Sequence, residues 1–190
     1  MLNNKLFEPA QSVNLENGYL QGKGITHSEK KIKDLKGVFD DEVAFNQLDP
    51  EIIVYQVQSL LPVKEGTPGG LYFGTTTIQS GKIGNEYFMT RGHFHENADR
   101  GEYYWGVQGE GMLILMDTNR RTWAERMFSG SLHYIGSYVA HRVANTGNLP
   151  LIFGACWISD AGHNYEDIAK NGFSSRLFEL NKIPCLIDSK

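Results

Sequence analysis

Glycine cuts the middle of the chain into pieces too short to be ordinary helices. The sequence holds 21 glycines in 190 residues, and they recur at short intervals through its centre. The runs between them are rich in β-branched and aromatic residues, which suit a pleated, half-buried surface. Residues 51–60 read EIIVYQVQSL, with Ile53, Tyr55 and Val57 alternating with their neighbours. Residues 71–79, 86–95, 102–108, 112–116, 121–127, 131–135, 138–145 and 151–158 continue the series. Short strands separated by turn residues predict an all-β sandwich or barrel. The ends read differently. Residues 28–35 begin with a capping serine and are expected to form a short helix stopped at Gly37. Asp40 is expected to cap a second helix through Leu48, and residues 165–170 to make a third ending near Gly172. Residues 176–180 and 183–187 read as late strands. No stretch looks like a linker, so one domain over 1–190 is expected, with its barrel core at about 50–160.

Composition removes several classes of function. A net charge of −4 leaves no basic stripe for nucleic acid. No apolar run is long enough to span a bilayer, and the opening MLNNKLFEPA lacks the layout of a signal peptide. Cys156 and Cys185 lie far apart and form no CxxC pair, which fits a reducing compartment. A cytoplasmic protein is the expectation.

The most informative segment is 91–102, RGHFHENADRGE. On a strand, His93 and His95 share one face and Phe94 takes the other. Two imidazoles so placed can grip one metal ion. Glu102 follows the turn ENADRG; if that turn closes a hairpin, its carboxylate returns to the histidine face. His141, in the run YVAHRVAN, is the candidate fourth ligand. Three imidazoles and one carboxylate suit zinc, iron, manganese, nickel or copper. An HxH pair alone is weak, since a hairpin can carry two histidines for packing. The glutamate, the β context and the later histidine make the metal site the better reading.

The HxH pair, Glu102, and His141 followed by Asn145 resemble the two motifs of the cupin superfamily, with Gly109 and Gly130 at motif boundaries. Tyr87, Gly136 and Tyr138 depart from the usual glycine and proline positions. The stretch SGKIGNEYFMTRGHFHENADRGEYY, with GVFD at 37–40, DPEIIVY at 49–55 and DAGHNY at 160–165, is similar to the cupin-type glucose-6-phosphate isomerases. The resemblance runs from about Gly37 to Gly172, most of the chain. It implies a cupin barrel, a double-stranded β-helix with short flanking helices, and a homodimer. It also implies metal-dependent interconversion of glucose 6-phosphate and fructose 6-phosphate. The implied cofactor is one divalent ion, Fe2+ before Mn2+, Zn2+ or Ni2+, on His93, His95, Glu102 and His141.

Aldose–ketose isomerisation moves hydrogen between C1 and C2. A general base can carry the proton through a cis-enediol, or hydride can pass directly between the carbons. The resemblance makes Glu102 the candidate base, and proton transfer is favoured. A carboxylate held by a cation loses basicity, so Glu102 must be loosely held to act. Tyr104 should share its face and orient a sugar hydroxyl or the carboxylate. His163 is the third catalytic candidate, for ring opening or hydroxyl binding. By resemblance, Tyr55, Thr76, Thr90 and Gly92 bind the phosphate. Strict alternation sets Thr90 and Gly92 opposite His93, so a glycine bulge at Gly92 is expected. Thr75–Thr77 and Thr90 should make the pocket polar. Arg91 is either a phosphate partner or a plain exposed cation, and Trp157 stands where the family usually has tyrosine. His27 and His133 read as structural, Tyr103, Tyr104 and Trp105 as mostly core, and the charges of 29–36 as a solvated helix face. The competing functions are another cupin enzyme, such as a dioxygenase, and a non-catalytic cupin that binds sugar phosphate.

Overall fold

A computed structural model of the chain describes residues 6–189. Its largest sheet has six antiparallel strands, in the order Leu132–Ile135, Glu102–Gln108, Leu151–Ile158, Leu71–Ile78, Ile53–Leu60 and Ile25–Lys31. A second sheet places Glu110–Asp117 between Thr122–Phe128 and Val139–Asn145. The two sheets face each other across one apolar core. In Glu110–Asp117, Leu113, Ile114, Leu115 and Met116 are fully buried. Gly109 alone links that strand to Glu102–Gln108 in the opposite sheet. The corner needs glycine: its φ is +85°, and a Cβ there would lie 2.6 Å from the Pro150 carbonyl oxygen. This is the all-β cupin barrel that the sequence implies, with the short helices Glu42–Gln47 and Glu166–Asn171 flanking it.

Outside the barrel, Ser175–Leu180 and Ile183–Asp188 form a hairpin that joins the small hairpin Lys82–Ile83 and Glu86–Tyr87. The late strands are therefore present, as expected. Gln11–Val13 and Leu20–Gly22 form a further pair that the sequence did not announce.

Several local expectations change. Residues 28–35 are not a helix. Ile25–Lys31 pairs with Ile53–Leu60 as an edge strand, and only Ile32–Leu35 makes a 3-10 turn. The charges at Glu29, Lys30 and Lys31 sit on a strand whose residues 26–30 are all exposed. The cap of Glu42–Gln47 is Asp41 rather than Asp40, its carboxylate accepting from the Ala44 N–H at 2.8 Å. Residues 86–95 are not one strand: regular pairing ends at Tyr87, and Met89, His93 and Phe94 make isolated bridges. Tyr103 is 49% exposed and packs at a tilt against Tyr134, so of the three aromatics only Tyr104 is buried.

Candidate active site

The turn ENADRG does not close a hairpin. His93 pairs with His141 in the three-stranded sheet, while Glu102 opens a strand of the six-stranded sheet. The turn thus carries the chain from one wall of the barrel to the other. This crossing brings the histidines and the glutamate together inside it.

Ligand atoms of His93, His95, Glu102 and His141 all lie within 4.8 Å of one another. His141 Nε2 is 2.6 Å from Glu102 Oε1, and His95 Nε2 is 3.3 Å from the same oxygen. Yet His93 Nε2, His141 Nε2 and Glu102 Oε1 are buried without a hydrogen-bond partner. Buried polar atoms left so are costly, and they point here at one shared position. His95 Nδ1 lies 2.8 Å from the Arg100 carbonyl and His141 Nδ1 lies 3.3 Å from that of Val139. Those bonds leave each Nε2 free to ligate, as backbone carbonyls do around bound metals. Burial, with His141 and His163 nearby, keeps His93 well below the usual imidazole range and therefore neutral. Burial opposes ionisation of Glu102, but His141 and His95 outweigh it and hold the carboxyl well below its ordinary range. A neutral imidazole and an ionised carboxylate are the forms that bind a cation. The donor set fits a divalent metal.

The set opens on a cavity of about 270 Å³. His93, Glu102 and His141 line it; His95 sits behind them and faces a separate outer cleft. Tyr104, Tyr55, Thr76, Thr90, Gly92 and His163 line the same cavity. Tyr104 packs edge-on against His141, with ring centres 5.6 Å apart. Burial and the Glu102 carboxylate push its phenol well above the usual range, so it stays a donor. His163 lies 4.5 Å from the His93 ring and stacks on Tyr165. Burial lowers its imidazole as well. Its loop is tied down by Arg100, whose Nε and Nη2 donate to both Asp160 oxygens at 2.9 and 2.8 Å.

The expected irregularity at Gly92 is present. Between the Met89–Ala144 and His93–His141 pairs, Thr90, Arg91 and Gly92 oppose only Arg142 and Val143. The extra residue is absorbed with Gly92 at φ +82°. Thr90 and Gly92 therefore reach the cavity beside His93. Thr90 accepts from the Val143 N–H at 3.1 Å, which leaves its hydroxyl hydrogen for a ligand. Beneath the bulge, the buried Arg142 guanidinium lies 4.3 Å from the Phe173 ring centre.

Thr75 and Thr77 do not join the site. Alternation turns them to an outer groove with His27, and only Thr76 faces inward. Trp157 lines the cavity, and Arg91 does too, donating from Nη2 to the Asp34 carbonyl at 2.9 Å. His133 is buried between Glu125 and Ser131, at 2.7 and 2.9 Å, consistent with a packing role. Ser28 and Lys30 also line the cavity, and the sequence reading missed both. Their alternation with His27 and Glu29 was the available clue, hidden by treating 28–35 as helix.

A family model described as Glucose-6-phosphate isomerase (GPI) matches residues 29–185. The chain belongs to the glucose-6-phosphate isomerase family. It is 40% identical to the glucose-6-phosphate isomerase of Thermococcus kodakarensis, covering 88% of this chain and 87% of that one. It is 36% identical to that of Pyrococcus horikoshii, over 93% of each chain. The bacterial isomerase of Sinorhizobium medicae is 36% identical, over 88% of this chain and 79% of its own. Among solved structures, an oxalate decarboxylase of Lactobacillus farciminis aligns with 58% of this chain and 30% of its own, at 17% identity and a TM-score of 0.45. Among the described residues, no helix is long and apolar enough to cross a membrane.

Proposed function

We propose that this chain interconverts glucose 6-phosphate and fructose 6-phosphate as a single-domain, cytoplasmic enzyme. One divalent ion, Fe2+ before Mn2+, Zn2+ or Ni2+, is held by His93, His95, Glu102 and His141. The observation that carries the reading is one cavity lined by two kinds of group. His93, Glu102 and His141, whose ligand atoms lie within 4.8 Å of one another and of that of His95, share it with Tyr55, Thr76, Thr90 and Gly92. When bound, the ion supplies a positive charge that stabilises developing negative charge on sugar oxygens.

The chain's own groups do the rest. Tyr55, Thr76, Thr90 and Gly92 fix the phosphate. His163, largely neutral, accepts the proton of the anomeric hydroxyl as the ring bond breaks and returns it to the ring oxygen. Tyr104 donates to the substrate or to Glu102. Glu102 takes the C2 proton and returns it at C1. A second reading, direct hydride passage between the carbons, is favoured by one observation: the Glu102 carboxylate lies among the three imidazole ligand atoms, within 4.8 Å of each, and a carboxylate held by a cation is a weak base. Glu102→Gln with substrate deuterated at C2 separates them. Full retention of label at C1, with metal bound and activity largely intact, removes Glu102 as base. A homodimer is the proposed assembly. Leu71, Tyr103, Leu132 and Tyr134 stay exposed, apolar surface that a second copy would cover.

The deciding test is a coupled assay for glucose 6-phosphate formed from fructose 6-phosphate, with and without chelator. Chelator-sensitive turnover restored by a divalent ion is the expected result. Metal-independent turnover refutes the metal role. No turnover with any of several divalent ions moves the function to a dioxygenase or a binding protein.

A further inference from the structure

A sugar phosphate brings close to two negative charges into the cavity. The groups assigned to it so far are neutral: hydroxyls of Tyr55, Thr76 and Thr90 and a backbone amide. Neutral donors alone are weak company for a partly buried dianion, because charged donors form roughly twice as strong a hydrogen bond. Among the described residues, the only carboxylate lining the cavity is Glu102, engaged with His141 at 2.6 Å. Two cations line it, Lys30 and Arg91.

Lys30 is placed by strand register. It is the direct cross-strand partner of Tyr55, and Ser28 is the partner of Val57, itself opposite Thr76. Directly opposed residues send their side chains to the same face. Lys30, Tyr55 and Thr76 are thus neighbours on the inner face of adjoining strands. Its sequence neighbours behave differently. Lys31 and Lys33 both pair with Glu51, at 2.9 and 2.5 Å. Among the described residues, no carboxylate pairs with Lys30. Arg91 also lacks a carboxylate, but its Nη2 is committed to the Asp34 carbonyl at 2.9 Å. Burial pushes the Tyr55 phenol up to about 12, so it stays protonated and can donate beside Lys30.

The geometry assigns Lys30 as the charged partner of the substrate phosphate, the residue by which the site distinguishes a phosphorylated sugar from a neutral one. Arg91 lines the same cavity. The assignment rests on the proposed sugar-phosphate substrate, and the test below separates the two.

Inorganic phosphate is the probe, bound to the metal-loaded protein and followed by calorimetry. Lys30→Met should weaken phosphate binding about 10- to 100-fold, the range of a charged hydrogen bond. The KM for fructose 6-phosphate should rise in parallel, with kcat within about twofold, because the contact is equal in ground and transition states. Lys30→Arg should recover most of the affinity, and Glu29→Gln, one position away on the outward face, should change nothing. Circular dichroism confirms that the variants fold. Unchanged phosphate affinity in Lys30→Met overturns the assignment, as does a fall in kcat with KM unmoved. A wild type that binds phosphate through Lys30 yet fails to isomerise supports Lys30 and refutes the isomerase reading.

Discussion

The two walls of the cavity are built by different rules. On the six-stranded sheet, Tyr55, Thr76, Glu102 and Tyr104 point inward by plain alternation from well-paired strands. On the facing side, Thr90, Gly92, His93 and His163 come from a bulged segment and a loop joined to the barrel by isolated bridges. A regular strand can present every second residue to a ligand and no more. The bulge at Gly92 lets Thr90, Gly92 and His93 all serve one cavity. The irregular wall therefore packs more function per residue, at the cost of depending on particular backbone conformations.

The largest test of that contrast compares ligands from the two walls. His93→Ala should abolish stoichiometric metal binding, read by elemental analysis, and lower kcat/KM by at least about 10³-fold, because an open three-ligand set also loses its charge alignment. Glu102→Gln, on the regular wall, should retain more of the metal, since three imidazoles remain. Equal metal loss in both would mean that the walls contribute alike.

Gly92→Ala probes the irregular wall itself. The left-handed φ is strained for alanine, and the new Cβ would lie 2.9 Å from the Phe173 ring and 3.1 Å from Arg142 Cβ. A destabilisation of about 2–3 kcal/mol is expected, a fall in Tm of roughly 5–10 °C for a chain of this size. KM should rise about tenfold as Thr90 and residue 92 are displaced. An unchanged Tm would show that the bulge can relax freely.

Thr76→Val is the matching change on the regular wall. It removes one hydroxyl from a paired strand position and keeps the shape. KM should rise about 5- to 10-fold, the value of one hydrogen bond, with Tm within about 2 °C. A large loss of stability would mean that Thr76 supports the sheet and not the ligand.

This contrast also explains what the sequence could reveal. The barrel and the His93–His95 pair were legible because period-two alternation and HxH spacing are local patterns, whereas Glu102 and His141, on other strands, leaned on the family resemblance. The Gly92 bulge was legible for a subtler reason: Thr90 and Gly92 could not share a cavity with His93 without a register change. Three things were hidden. The edge strand Ile25–Lys31 carries charges at helix-like spacing, and only its partner Ile53–Leu60 decides its state. The turn ENADRG crosses between sheets, which no turn composition encodes. The outward aim of Thr75 and Thr77 required knowing which strand face lines the cavity.

The smallest effect concerns how the irregular wall is held. Arg100, at the end of the crossing turn, grips Asp160 through two nitrogens and so fixes the loop that presents His163. The hydrogen bonds from Arg100, with its charge, hold the Asp160 carboxyl below its ordinary value. A depressed carboxylate contributes to stability above its unfolded pKa of about 4 and loses that contribution as pH falls through the folded value. The pair is partly exposed, so screening keeps its weight small. Arg100→Met should leave Tm at neutral pH within about 2 °C and raise KM about threefold through a looser His163. Amide exchange should quicken across 160–165 while Glu102–Gln108 stays protected. Between about pH 5 and pH 3 the variant should lose less stability than the wild type. If exchange quickens in both walls together, the loop and the sheet open as one unit, and the division between them is only geometric.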